Sequence, residues 1–146
     1  MDGLQTTEAL GAQIAASMRR GDAVALQGDL GSGKTTLARA ILRALGVSET
    51  VPSPTFTLVQ IYETAAFEVR HYDLYRVEQC SELDELGFDE ALDEGAALIE
   101  WPERAGARLP QDALHVALTL SDGNRHALIT GSLYWAQAFR KADHVQ

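Results

Sequence analysis

Gly28-Asp29-Leu30-Gly31-Ser32-Gly33-Lys34-Thr35 is the stretch that decides how the rest of this chain is read. The eight residues fit the pattern G-x-x-x-x-G-K-[ST] in full. Glycines let the backbone curl so that successive N–H groups converge on phosphate oxygens. Just upstream, residues 23–28 (Ala-Val-Ala-Leu-Gln-Gly) form a short apolar run that ends in glycine, the mark of a buried strand. Just downstream, residues 34–45 carry Leu37, Ile41 and Leu45 on one helical stripe, with Gly46 as a stop. A strand, a glycine loop and a helix in that order form a phosphate cradle. The helix adds the positive end of its dipole, Lys34 a point charge for the β- and γ-phosphates, and Thr35 a hard oxygen ligand for magnesium (Mg2+). The implied cofactors are ATP and Mg2+.

Working outward, residues 6–19 read as a helix that Thr6 or Thr7 can cap, with Leu10, Ile14 and Met18 on one face. Residues 51–55 hold two prolines, which rule out a regular helix or central strand. Segments 56–63 and 67–72 are rich in aromatic and β-branched residues and read as a hairpin, although the link between them has neither Gly nor Asn. Ser81 and Asp84 have the spacing of a capping box for a short helix ending near Gly87. Residues 96–100 are a second apolar run, ending in a carboxylate, and Trp101-Pro102 breaks it and starts a helical turn. Residues 113–121 and 125–130 read as a second hairpin around Asp122-Gly123-Asn124, and residues 133–141 as a closing helix. The expected class is α/β: a three-layer P-loop NTPase-like domain, residues 1–146, with a mixed, mainly parallel central sheet and added hairpins.

A phosphate cradle hydrolyses nothing without a carboxylate for the metal shell and a group that positions water. Asp73 and Glu100 both fall where strands end, the edge at which an open α/β sheet places its ligands. The competing interpretation of each is a solvated residue at a strand terminus. Asp29, inside the loop, is placed either to approach the γ-phosphate or simply as a tolerated surface residue. Thr55 and Thr57 offer hydroxyls in a proline-stiffened segment where many P-loop proteins keep a nucleotide-sensing loop. His71 reads as a structural strand residue rather than a base. Cys80, without a second cysteine or activating neighbours, reads as inert. On the residues alone, Trp101 reads as core.

The bulk numbers exclude several classes. In 146 residues, 46% are hydrophobic and 23% charged, as in ordinary globular chains of one-domain size. One cysteine permits no intrachain disulfide, which fits a cytoplasmic location. Met1-Asp2-Gly3-Leu4-Gln5 lacks the basic and apolar stretches of an export signal, and no apolar run approaches a membrane span, so no membrane partner is expected. A net charge of −9 repels nucleic-acid backbone, so no autonomous binding to RNA or DNA is expected.

Four blocks in order resemble one known family: Gly28 to Thr36, then Ser53-Pro54-Thr55-Phe56-Thr57, then His71-Tyr72-Asp73-Leu74-Tyr75-Arg76, then Glu100-Trp101-Pro102-Glu103. They are similar to the TsaE (YjeE) family, the ATPase component of bacterial threonylcarbamoyladenosine tRNA modification. The resemblance runs from about residue 5 to about residue 125 and leaves the last twenty without a diagnostic match. It implies a compact P-loop domain that binds ATP and magnesium and hydrolyses slowly alone. It implies association with TsaD and TsaB, where TsaD transfers threonylcarbamoyl to adenosine 37 of tRNA, so that tRNA is met through the complex. By the same resemblance Gly28, Asp29, Leu30, Gly31, Ser32, Gly33, Lys34, Thr35 and Thr36 hold the nucleotide, with Thr36 near the α-phosphate. Residues 53–57 become a switch-like segment. Thr35, Asp73 and Glu100 become metal ligands, Lys34, Asp73 and Glu100 the catalytic set, and Trp101 a residue beside the nucleotide. Which of Asp73 and Glu100 positions the water stays open. Two other classes compete: a small-molecule P-loop kinase, for whose acceptor pocket and arginine-rich lid the chain is short, and a non-catalytic nucleotide sensor.

Overall fold

The computed structural model describes residues 4–29, 33–48, 58–79, 81–121 and 124–144. Leu30, Gly31 and Ser32 of the glycine loop, the segment 53–57, Cys80 and the turn residues Asp122 and Gly123 lie outside them.

Six strands make one sheet. In chain order they are β1 (Ala23–Gln27), β2 (Val59–Glu63), β3 (Glu68–Asp73), β4 (Gly95–Glu100), β5 (Leu114–Ser121) and β6 (Asn124–Thr130). In space the order is β2-β3-β4-β1-β5-β6. The four inner strands run parallel, and the outer two, β2 and β6, fold back antiparallel as the far arms of hairpins. This is the mixed, mainly parallel α/β sheet expected from the strand and hairpin pattern.

Strand alternation sends side chains to two separate cores. Val24 and Leu26 of β1, Val69 of β3 and Leu98 of β4 pack with Ile14 of α1 (Leu4–Ser17), with Met18 just beyond its end, and with Leu37 and Ile41 of α2 (Lys34–Ala44). Trp135 of α5 (Leu133–His144) completes that layer. On the other face Tyr72 of β3 and Ala97 and Ile99 of β4 pack with Leu83 of α3 (Glu82–Glu85) and Phe88 and Ala91 of α4 (Phe88–Glu94). The stripes read from α1 and α2 are therefore the buried ones, and Gly46, at φ 99°, stops α2 where the residue pattern placed the stop. Among the described residues no helix is long and apolar enough to cross a membrane.

Several local expectations are corrected. Thr6 and Thr7 lie inside α1 rather than capping it, and Thr7 is buried. Ser81 makes no side-chain cap hydrogen bond. The Glu82 carboxylate instead accepts the N–H groups of Glu78 and Gln79, at 2.7 and 3.0 Å. The short helix α3 does end near Gly87, but that residue turns through a left-handed φ of 65° and a further helix, α4, follows it. The β2–β3 link does without Gly or Asn because the Thr64 hydroxyl takes over the turn. It donates to Phe67 O and accepts from Phe67 N and Ala66 N. Trp101 and Pro102 do lead into a short 3-10 turn (Pro102–Arg104), as the break at Pro102 suggested.

Gly95 opens β4 in extended backbone, at φ −163°, so its conformation does not require glycine. Space does: a Cβ there would lie 2.0 Å from the Glu68 carbonyl oxygen on β3. Gly95→Ala is therefore expected to force β3 and β4 apart locally and to cost about 1–3 kcal/mol of stability in chemical denaturation, as overpacking does. Wild-type stability in that variant would show that the β3–β4 pairing is looser than described.

Candidate nucleotide and metal site

The parallel register brings three strand ends to one edge. In it Leu26 pairs with Glu100 and Glu100 with Asp73, so the C-terminal ends of β1, β4 and β3 lie side by side. Glu100 is the last residue of β4 and Asp73 the last of β3, and both side chains are buried. By alternation they share the sheet face of Leu98 and Val69, which is the face covered by α1 and α2. Gly33 stands at φ 103°, a left-handed conformation that favours glycine, and lets α2 start beneath that edge.

A buried carboxylate without partners costs on the order of several kcal/mol. Glu100 has three contacts. The Thr35 hydroxyl donates to Oε1 at 2.8 Å and to Oε2 at 3.0 Å. His71 Nε2 lies 2.6 Å from Oε2. Asp73 Oδ1 accepts the N–H of Tyr75 at 3.0 Å, which tightens the turn that leaves β3.

Lys34 reaches back along its own loop. Its Nζ donates to the carbonyl oxygens of Gly28 and Asp29 and sits 4.0 Å over the centroid of the Trp101 ring. Burial pushes the Lys34 pKa below its ordinary value, while Glu100, Asp73, Glu103 and Asp29 act against that fall. Trp101 is half-buried: it packs against the rim of the second core rather than filling it. Its backbone is left-handed, at φ 58°, and its ring leans on Tyr75 with centroids 5.0 Å apart. Leu58, whose carbonyl accepts the N–H of Asp73, is left-handed as well, at φ 66°. Non-glycine residues in that region store about 1–3 kcal/mol each and cluster at functional sites.

The sequence-derived set thus divides. Lys34, Thr35, Glu100, Asp73 and Trp101 come together at one sheet edge, with Gly28, Asp29 and Gly33 contributing backbone. Thr36 lines a groove of about 610 Å³ between α1 and α2, with Glu8, Arg39 and Arg43 among its neighbours. His71 was missed as a site residue. Its only available signal was its place two residues before Asp73 on a strand, which puts both on one face. The donor chemistry fits magnesium: a hydroxyl and two carboxylates are hard oxygen ligands, and this ion is commonly held by one or two carboxylates together with substrate phosphates.

The family model described as Threonylcarbamoyl adenosine biosynthesis protein TsaE matches residues 1–127. A Rickettsia felis protein named tRNA threonylcarbamoyladenosine biosynthesis protein TsaE is 40% identical over 131 residues, 88% of this chain and 77% of that one. A Bacillus subtilis protein of the same name is 37% identical over 115 residues, covering 78% of this chain and 72% of its own. The crystal structure of Bacillus subtilis YdiB superimposes with a TM-score of 0.81 at 26% identity, over 100% of this chain and 93% of that one.

Glu100 heads the groups that hold the Lys34 charge against burial. Glu100→Gln is therefore expected to lower the Lys34 pKa further, read from the pH dependence of its Nζ and Cε signals by heteronuclear NMR. An unmoved titration would separate the two side chains electrostatically.

Proposed function

This chain belongs to the Threonylcarbamoyl adenosine biosynthesis protein TsaE family, and from that premise we propose that it is an ATP-binding, slowly hydrolysing ATPase subunit supporting threonylcarbamoyl transfer to tRNA. The observation that carries the reading is the clasp of Thr35 by Glu100 beside Lys34, at the start of the helix that follows the glycine loop.

The roles follow from what each group does chemically. The N-terminus of α2 presents the positive end of its dipole to the phosphates. Lys34 leaves the carbonyls of Gly28 and Asp29 for the β- and γ-phosphate oxygens, which are stronger acceptors because they are charged. Thr35, Asp73 and Glu100 would hold magnesium, which supplies charge neutralisation at the transferring phosphoryl group. Asp73 and Glu100 between them also orient the attacking water. Trp101, already over the Lys34 ammonium, lies beside the nucleotide.

The reading extends to partners. Several arginines are committed elsewhere: Arg43 to the carbonyls of Val47 and Ser48 at the far end of α2, Arg70 to Glu68, and Arg108 to Asp84 and Asp89. A charge supplied in trans is worth about 10³–10⁵ in rate in P-loop enzymes. TsaD and TsaB are the proposed partners, in the cytoplasm, and tRNA is met through them rather than bound by this acidic chain alone.

Lys34→Ala is expected to abolish or severely weaken ATP binding in titration calorimetry with magnesium, because it removes the charge placed on the β/γ-phosphates. Near-wild-type affinity in a folded variant would move the nucleotide elsewhere. In steady-state assays the pure chain is expected to hydrolyse ATP slowly and to accelerate when TsaD and TsaB are added. Asp73→Asn and Glu100→Gln are expected to keep the fold and much of the affinity measured without magnesium but to lose that turnover. A fast, partner-insensitive ATPase would count against a supporting subunit, and phosphorylation of a small acceptor would favour a kinase.

A further inference from the structure

Glu100 is held from two sides, and only the Thr35 side has a part in the function proposed above. On the other side stands His71, fully buried on the inner face of β3 and opposite Leu98 in the β3–β4 register. Its Nε2 is 2.6 Å from Glu100 Oε2. A carboxylate accepts, so Nε2 is the nitrogen that carries a hydrogen toward Glu100. The other ring nitrogen, Nδ1, is buried with no hydrogen-bond partner among the described residues.

As packing this is a poor arrangement. Leucine would fill the position without burying two polar nitrogens, one of them unpaired. What the imidazole adds is one directed hydrogen bond, and that bond ends on Glu100. The geometry points to His71 as a positioning residue for the metal site: it holds Oε2 and so fixes the plane of the carboxylate that the Thr35 hydroxyl meets from the other side. It touches neither nucleotide nor metal and acts through Glu100. Ligating carboxylates are themselves held by hydrogen bonds in this way, and loss of such a partner typically costs about 10–100-fold in metal affinity or activity. The role rests on the reading of Thr35, Asp73 and Glu100 as the magnesium-bearing set.

Calorimetry on the full chain with the non-hydrolysable analogue adenylyl imidodiphosphate, in excess magnesium and again in EDTA, gives a ratio of affinities that reports the metal alone. His71→Leu keeps the bulk and removes the donor, and it is expected to cut that ratio by about 10–100-fold while unfolding stays cooperative. His71→Gln, whose amide nitrogen takes the place of Nε2, is expected to recover most of the loss. A residue that only filled the core would shift Tm and leave the ratio alone, so an unchanged ratio in His71→Leu overturns the proposal. Side-chain 15N–1H correlation spectra decide the matter even if His71→Leu fails to fold. The wild-type chain is expected to show His71 as the Nε2–H tautomer, with a signal that moves in Glu100→Gln. The Nδ1–H tautomer, or a signal indifferent to Glu100→Gln, overturns the proposal even where the wild-type ratio is large. A wild-type ratio of one with the expected tautomer overturns the magnesium site itself, and this role for His71 falls with it.

Discussion

A carboxylate buried at the end of an inner strand needs donors, and the chain must bring them from elsewhere. Glu100 receives the Thr35 hydroxyl from the first turn of α2 and the His71 imidazole from β3. Those contacts join positions 65 and 29 residues apart in sequence. They hold the start of α2 against the end of β4 and lock β3 to β4 at the same level. The register agrees, since Glu100 pairs with Asp73 on one side and Leu26 on the other. Satisfying one acidic group therefore places the glycine-loop helix, the second carboxylate and the central strand relative to one another.

The same acidic group governs the charge of Lys34. Burial alone disfavours an ammonium, and the surrounding carboxylates, Glu100 first among them, act against that penalty. The cation is also held by two carbonyls and the face of Trp101. To put its ring there, Trp101 adopts a left-handed backbone directly after Glu100, and Leu58 does the same where the chain enters β2. Both strained residues sit at the rim of the strand edge that carries the carboxylates, so the cost of the conformation is spent where the ligand chemistry is.

Much of this was legible from local pattern. The short apolar strand before the glycine loop and the striped helix after it are set by neighbouring residues, and both were found where expected. Asp73 and Glu100 were also recoverable, because a carboxylate that ends an aromatic and β-branched segment or an apolar run marks a strand terminus whatever that strand pairs with. The β2–β3 hairpin was visible in its β-branched and aromatic arms, although its turn depends on the Thr64 hydroxyl rather than on a glycine.

Other features belong to tertiary structure alone. Sheet order β2-β3-β4-β1-β5-β6 follows from which apolar faces meet, and no single segment carries that information. Helix α4 lay hidden because Gly87 looks like a stop, while here its left-handed turn only redirects the chain before Phe88 fills the core between α4 and Tyr72. Trp101 reads as a core residue by size and composition, and only the turn after β4 lifts its ring over Lys34. His71 reads as an ordinary strand residue until β3 and β4 are paired. By itself the sequence determined the glycine-rich loop, the class of sheet around it and the candidate ligands, because periodicity, glycine and charge act between near neighbours. Tertiary structure decided which of those groups touch, because the β3–β4 register sets His71 and Asp73 beside Glu100 and the packing of α2 on the sheet carries the Thr35 hydroxyl to its carboxylate.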